Sequence, residues 1–437
     1  VLSALATGLR TPDVRRRILF TLSLLALFRL GATLPSPGVD YAAVRDCIGA
    51  ASGGSAGGIY QLISLVSGGA LLQLSVFAIG VGPYITASII TQLLTVVIPR
   101  FEALRREGES GQARIAQYTR YLAIALAVLQ ASTVVALAAR GLLLRGCRTH
   151  VLADSSLPGM ISIVLVMTAG AALVMWFGEL ISERGIGNGM SLLIFAGIAA
   201  QLPSQGRAIL DARGGIVFAG ACVAVFLTMV AVIFVEQGQR RIPVQYAKRM
   251  VGRRMYGGSS TYLPLKVNQA GVIPVVSASS VLYVPGLIAK SFQGSSHPPE
   301  WQKLIQEYLS NPDSPLYVAA YFALILFFAY FYVAITFDPH ERAEEMKKFG
   351  GFLPGYRPGP ATADHLSHVL SRITLPGSIY LGCVAVLPKL VPLGAAGAAR
   401  GLAFGGTSVL ILVTVGLDTL KQLESRVMTK NYTGFLR

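Results

Sequence analysis

The chain has 437 residues, of which 53% are hydrophobic and 13% charged, with a mean hydropathy of +0.59. Soluble domains carry roughly a quarter charged residues, so an ordinary cytosolic enzyme is excluded. The formal net charge of +16 would suit a nucleic-acid binder. Its lysines and arginines fall in the segments between apolar runs, though, where membrane topology already demands them.

Those apolar runs predict about ten transmembrane helices, over 17–35, 73–98, 119–139, 159–178, 189–202, 216–236, 267–289, 315–337, 374–392 and 403–422. The expected fold is an all-α polytopic membrane protein with no large soluble domain. The first run, Ile18 to Leu34, follows Arg15, Arg16 and Arg17 as a signal peptide would, but further spans follow it and it reads as the first helix. Basic residues concentrate on the N-terminal side of the alternation, which predicts both termini in the cytoplasm. Ten spans divide into an N-terminal half, 1–202, and a C-terminal half, 203–437, with Gln201 to Gly215 as the hinge loop. The second half then enters the membrane inverted, the usual plan of a transport pathway.

Ahead of the second span lie a Gly/Ser-rich stretch from Ser52 to Gly58, a short apolar segment and Ser67-Gly68-Gly69. The segment is too short to span, leaving a re-entrant helix that caps a cavity and a surface amphipathic turn as the two readings. Each half has a Gly/Pro-interrupted second span, with Gly80, Gly82 and Pro83 in one and Gly271 and Pro274 in the other. Paired interruptions of this kind point to a working interface. The same two spans carry neutral polar residues, Thr86, Ser88, Thr91 and Gln92 against Asn268 and Gln269, which in hydrocarbon should meet partners across a helix interface or line a wet path. Gly185 to Gly189 reads as a tight hairpin rather than a dinucleotide loop, since Met190 stands where a glycine is required.

The long loops 237–264 and 338–372 hold Arg240, Arg241, Lys248, Arg249, Arg253 and Arg254, and Arg357 among mixed charges. They suit docking of an acidic protein, anionic lipid or RNA. No span has an Asp or Glu away from its ends; Glu179, Glu236 and Asp418 sit at cytoplasmic termini, and Arg29 alone is ionised well inside a span. Ion coupling therefore lacks its usual parts, which disfavours the main alternative, a secondary transporter for a small solute. No catalytic pair is visible, and His365 and His368 lack a further convincing metal ligand. Neither a cofactor nor a metal is expected. Cys47 and Cys147 fall in outer loops, where they can stay free or be bridged.

Several strings resemble bacterial SecY: SGGA at 67–70, GPYI at 82–85, QLLT at 92–95, EGESG at 107–111, QYTRY at 117–121 and ERGIGNG at 183–189. QGQRRI at 237–242, LPLKVNQA at 263–270, PGYRPG at 354–359 and GGTS at 405–408 continue the match in order over nearly the whole chain. The resemblance implies an hourglass protein-conducting channel in the cytoplasmic membrane, without catalytic residues. It would pass unfolded secretory polypeptides and release signal sequences sideways into lipid. Carried over by position, its apolar ring is Val81, Ile85, Met190, Ile194, Val276 and Ile411, with Val81, Met190 and Val276 replacing isoleucines frequent in the family. An apolar constriction excludes water yet gives a passing chain no specific grip. The plug region is about 59–70, with Ile59, Tyr60, Leu62, Ile63, Ser67, Gly68 and Gly69. The lateral gate lies between the second and seventh spans, with Thr86, Gln92 and Asn268 as polar contacts. SecE and SecG are implied as subunits; secretory preproteins as cargo; and the SecA ATPase, a translating ribosome and anionic membrane lipid as partners of the basic loops.

Overall fold

A computed structural model describes residues 11–40, 44, 70–71, 74–139, 156–246, 249–251, 254–256, 260–291, 314–390 and 406–433. The N-terminal half contains α1 (Pro12–Thr33), α2 (Gly82–Val97), α3 (Pro99–Arg106), α4 (Glu109–Ala139), α5 (Leu157–Arg184) and α6 (Gly189–Arg213). α7 (Gly215–Glu236) leads to four strands: β1 (Gln239–Tyr246) and β4 (Ser260–Lys266), which pair, and between them β2 (Arg249–Val251) and β3 (Arg254–Tyr256), which form a separate hairpin. Then follow α8 (Ile273–Ser291), α9 (Pro315–Thr336), α10 (Pro339–Lys348), β5 (Gly351–Phe352), α11 (Pro360–Leu390) and α12 (Gly406–Thr433).

Every predicted span overlaps one helix. Among the described residues, five helices are long and apolar enough to cross a membrane, or six if the bent pair α2 and α3 is one span. The helical multi-pass class therefore stands, while length and apolarity alone do not establish the count of ten. Large apolar side chains face outward, as in Leu22 and Leu30 of α1, Ile161 and Leu165 of α5, and Phe226 and Phe234 of α7. In water that surface would be a liability; in lipid it is the stable arrangement.

Three apolar cores organise the bundle. One joins α4, α5 and the segment before α2, through Leu74, Ala131 and Met167. A second joins α8, α9, α11 and α12, and takes in Ile89 of α2. The third lies where α1, α2, α5, α6, α8 and α12 converge.

Several predicted boundaries shift for clear physical reasons. The second and seventh spans begin as helices only at Gly82 and Ile273, because Gly80 (φ 61°) and Gly271 (φ 62°) adopt the left-handed conformation just before Pro83 and Pro274. The unwound stretch before α2 is buried at Leu74, Ala78 and Val81, and its backbone is paired: Val76 N–H donates to the Leu34 carbonyl and Ser36 N–H to the Leu74 carbonyl. Non-helical backbone at this depth is tolerated only with such internal partners. The expected hinge loop from Gln201 to Gly215 is mostly helix. α6 runs through Pro203 to Arg213, and Gly214 (φ 82°) alone separates it from α7. The boundary at 202/203 thus falls inside α6.

The long loops 237–264 and 338–372 are more ordered than their charge implied. In β1, Ile242 and Val244 point inward and alternate with exposed neighbours, as a half-buried strand requires. Ile242 joins Leu265, Leu353, Leu366 and Val369 in a core of their own. β1 pairs antiparallel with β4, placing Arg240 opposite Leu265, and with β5, placing Gln245 opposite Phe352. That second pairing welds the two long loops into one platform.

Candidate functional site

All six ring residues predicted from the sequence lie in the same apolar cluster, with Val81 and Ile411 buried and Ile85, Met190, Ile194 and Val276 partly buried. They arrive from four helices of both halves: Val81 caps α2, Ile85 is in its first turn, Met190 and Ile194 are one turn apart on α6, Val276 is on α8 and Ile411 on α12. Close backbone approach sets this convergence. A Cβ on Gly189 would lie 1.9 Å from the Gly178 carbonyl oxygen, and one on Gly178 would lie 2.5 Å from Met190 Sδ. Glycine at these sites lets α5 and α6 touch, as small residues do at membrane helix interfaces. The sequence reading missed Val272 and Val415, which share the cluster one turn from Val276 and Ile411. Their i, i+4 spacing is the signal that could have found them.

The contact between α2 and α8 is chiefly apolar, with Ile85, Ile89 and Leu93 of α2 against the second half's core. Its hydroxyls do not cross the seam as expected. Thr86 donates to Gly82 O at 3.1 Å, Thr91 to Ala87 O at 2.8 Å and Thr95 to Gln92 O at 2.6 Å, all within their own helix. Short hydroxyl side chains reach the preceding turn more easily than a neighbouring helix. Gln92 does face across, toward the Tyr332 side chain of α9. Asn268 faces elsewhere: its Nδ2 donates to Glu236 Oε1 at 2.6 Å and to Gly271 O at 3.1 Å. Thr414 donates to the same carboxylate oxygen at 3.3 Å. Glu236, read as a helix-end residue, is thus buried in a polar node joining α7, the lead into α8, and α12. The structure therefore does not gather Thr86, Gln92 and Asn268 into one hydrogen-bonded set.

Arg240 and Arg241 are exposed on β1, and Arg357 is exposed in the turn that follows β5. Thr362 braces that turn by donating to Arg357 O at 2.8 Å, and Tyr356 stacks on His365 with centroids 4.1 Å apart. Arg249 and Arg254 occupy the hairpin of β2 and β3, Arg249 opposite Tyr256 and Arg254 opposite Val251. Lys248 and Arg253 lie outside the described residues, as do Cys47, Cys147 and the plug positions Ile59, Tyr60, Leu62, Ile63, Ser67, Gly68 and Gly69.

Two helical halves meeting on an apolar seam, each with a broken helix, and a basic platform on one face define a polytopic membrane channel. The SecY family model matches residues 75–420. Over the full length of both chains, the protein is 64% identical to protein translocase subunit SecY of Mycobacterium tuberculosis and 56% identical to that of Corynebacterium glutamicum. A solved protein-conducting channel shares the fold with a TM-score of 0.65 at 19% identity, covering 93% of this chain and 91% of its own. Sec61 from a canine ribosome–channel complex of the endoplasmic reticulum does so with a TM-score of 0.61 at 19% identity and the same coverage. The chain belongs to the SecY family of protein-conducting channels.

Proposed function

We propose that the chain passes unfolded secretory polypeptides across the cytoplasmic membrane, with both termini on the cytoplasmic side, and lets hydrophobic signal sequences leave between α2 and α8. The observation that carries this reading is the convergence of Val81, Ile85, Met190, Ile194, Val276 and Ile411 from both halves in one apolar cluster. Such a ring seals against water and ions when narrow and slides over any sequence when wide. The absence of aspartate or glutamate from the span interiors argues against ion coupling, leaving the small-solute transporter without support. Residues 59–70 act as the plug in this reading, the helices before and after Gly214 move as two halves, and SecE and SecG complete the complex.

Arg240, Arg241 and Arg357, with the hairpin that carries Lys248, Arg249, Arg253 and Arg254, form the docking platform for a translating ribosome or the SecA ATPase. Likeness to Sec61 in the canine ribosome complex supports the ribosome. Arginine suits such a surface because its planar fork binds carboxylate and phosphate bidentately. A photoreactive amino acid at Ile85 tests the pore. A stalled secretory chain should cross-link there, while the same probe at lipid-facing Phe226 should capture none; equal capture at both sites removes Ile85 from the path.

A further inference from the structure

Gln92 of α2 faces Tyr332 of α9. Among the described residues, one side-chain hydrogen bond leaves the arm formed by α2 and α3 for the second half: Arg105 Nη2 donates to the carbonyl oxygen of Ile335, 230 positions away in the last turn of α9. Local sequence explains both ends of that contact. Pro99 breaks the helix after Ile98 and turns α3 by 97° from α2, which carries Arg105 sideways over the seam. On the other side, the donor that would continue the α9 ladder to Ile335 O is residue 339, and Pro339 has no N–H. The carbonyl is left open at the negative end of a helix dipole, where a guanidinium is the fitting donor. The neighbouring Arg106 instead pairs with Glu102 of its own helix at 2.6 Å.

We infer that Arg105 is a clasp across the cytoplasmic end of the gate and sets how hydrophobic a signal sequence must be to open it. The inference rests on the reading of α2 and α8 as the opening seam. A signal entering between them must draw α3 away from α9, and the bond to Ile335 O exists only while they are together. Removing the guanidinium therefore lowers the threshold for opening. The expected size is that of a cation at a helix C-terminus, about two- to five-fold in the closed-to-open ratio.

The test uses the assembled channel in two arms. In a background without the four native cysteines, Arg105→Cys and Thr336→Cys are joined by a cleavable bis-maleimide. Export should stop and return on cleavage; unhindered export through the joined channel would remove the gate reading, and the clasp with it. In the second arm Arg105→Ala should raise export of a preprotein with a weakened signal about two- to five-fold. It should also raise opening frequency of the purified channel in bilayers without any motor or ribosome, and Arg105→Lys should fall between. Blocked export in the first arm with unchanged stringency and opening in the second overturns the clasp alone. So does a uniform fall in export with all signals, which would make Arg105 a docking residue.

Discussion

The two seams that join the halves are built differently. On the proposed hinge side, the hairpin between α5 and α6 is tied across to α12, Gly187 N–H donating to Gln422 Oε1 at 3.1 Å, and is held within its own half to α1, Ile186 N–H donating to Thr21 Oγ1 at 3.2 Å. Ile186 is also buried with Val14, Leu423 and Val427. On the proposed gate side, Ile85, Ile89 and Leu93 present a smooth apolar ridge, and the Arg105 bond to Ile335 O lies beyond its end. Directional bonds resist sliding and separation alike, whereas apolar surface leaving a neighbour for lipid loses little. An apolar seam therefore parts more easily than a hydrogen-bonded one.

The contrast breaks most completely if the hinge-side backbone contact is forced apart. Gly189→Val places side-chain carbon against the Gly178 carbonyl, and should cost about 3 kcal/mol or abolish folding. Thermal unfolding of the purified variant in detergent measures this, and a wild-type melting temperature would mean that α5 and α6 are not packed as described.

Next in size is Glu236→Ala, which strands the Asn268 amide and the Thr414 hydroxyl in a buried site. A loss of about 2 kcal/mol is expected, with Glu236→Gln losing less because it keeps an acceptor. Equal stability of both variants and the parent would show that the node is not formed.

Ile411→Asn tests the ring between the seams. An amide in the closed constriction is either poorly satisfied, at about 1 to 3 kcal/mol, or recruits water. Both favour the open state, so resting single-channel conductance and export of weak-signal substrates should rise. Unchanged conductance in well-folded protein would place Ile411 off the pore.

The smallest effects separate the seams most sharply. Gln422→Ala removes one hydrogen bond, worth about 1 kcal/mol, and Tyr332→Phe removes the hydroxyl that faces Gln92. The hinge-side change should lower melting temperature without altering signal stringency, and the gate-side change should relax stringency with little effect on melting. Matching phenotypes from the two variants would erase the distinction.

Much of this was legible in the chain. The interruptions at Gly80 with Pro83 and Gly271 with Pro274 are legible in the sequence, because left-handed glycine and the missing proline N–H are local properties. The ring positions came from resemblance, and folding gathers them. Asn268 was misplaced: an amide's need for a partner is readable, but which helix supplies it depends on packing. The loops 237–264 and 338–372 read as docking surfaces, but their shared sheet is not legible, because β1 and β5 lie about a hundred residues apart and a two-residue strand has no periodicity to detect.

Hydropathy alone determined that this protein lives in a bilayer, through the cost of moving polar groups out of water, and its glycines and prolines determined where its backbone breaks, through local backbone geometry. Only the tertiary structure decided which seam is stitched and which is smooth. The pairing of Arg105 with Ile335 O, of Gln422 with Gly187 and of Asn268 with Glu236 joins residues far apart in sequence. Hydrogen bonds of this kind need distances and directions that no linear pattern contains.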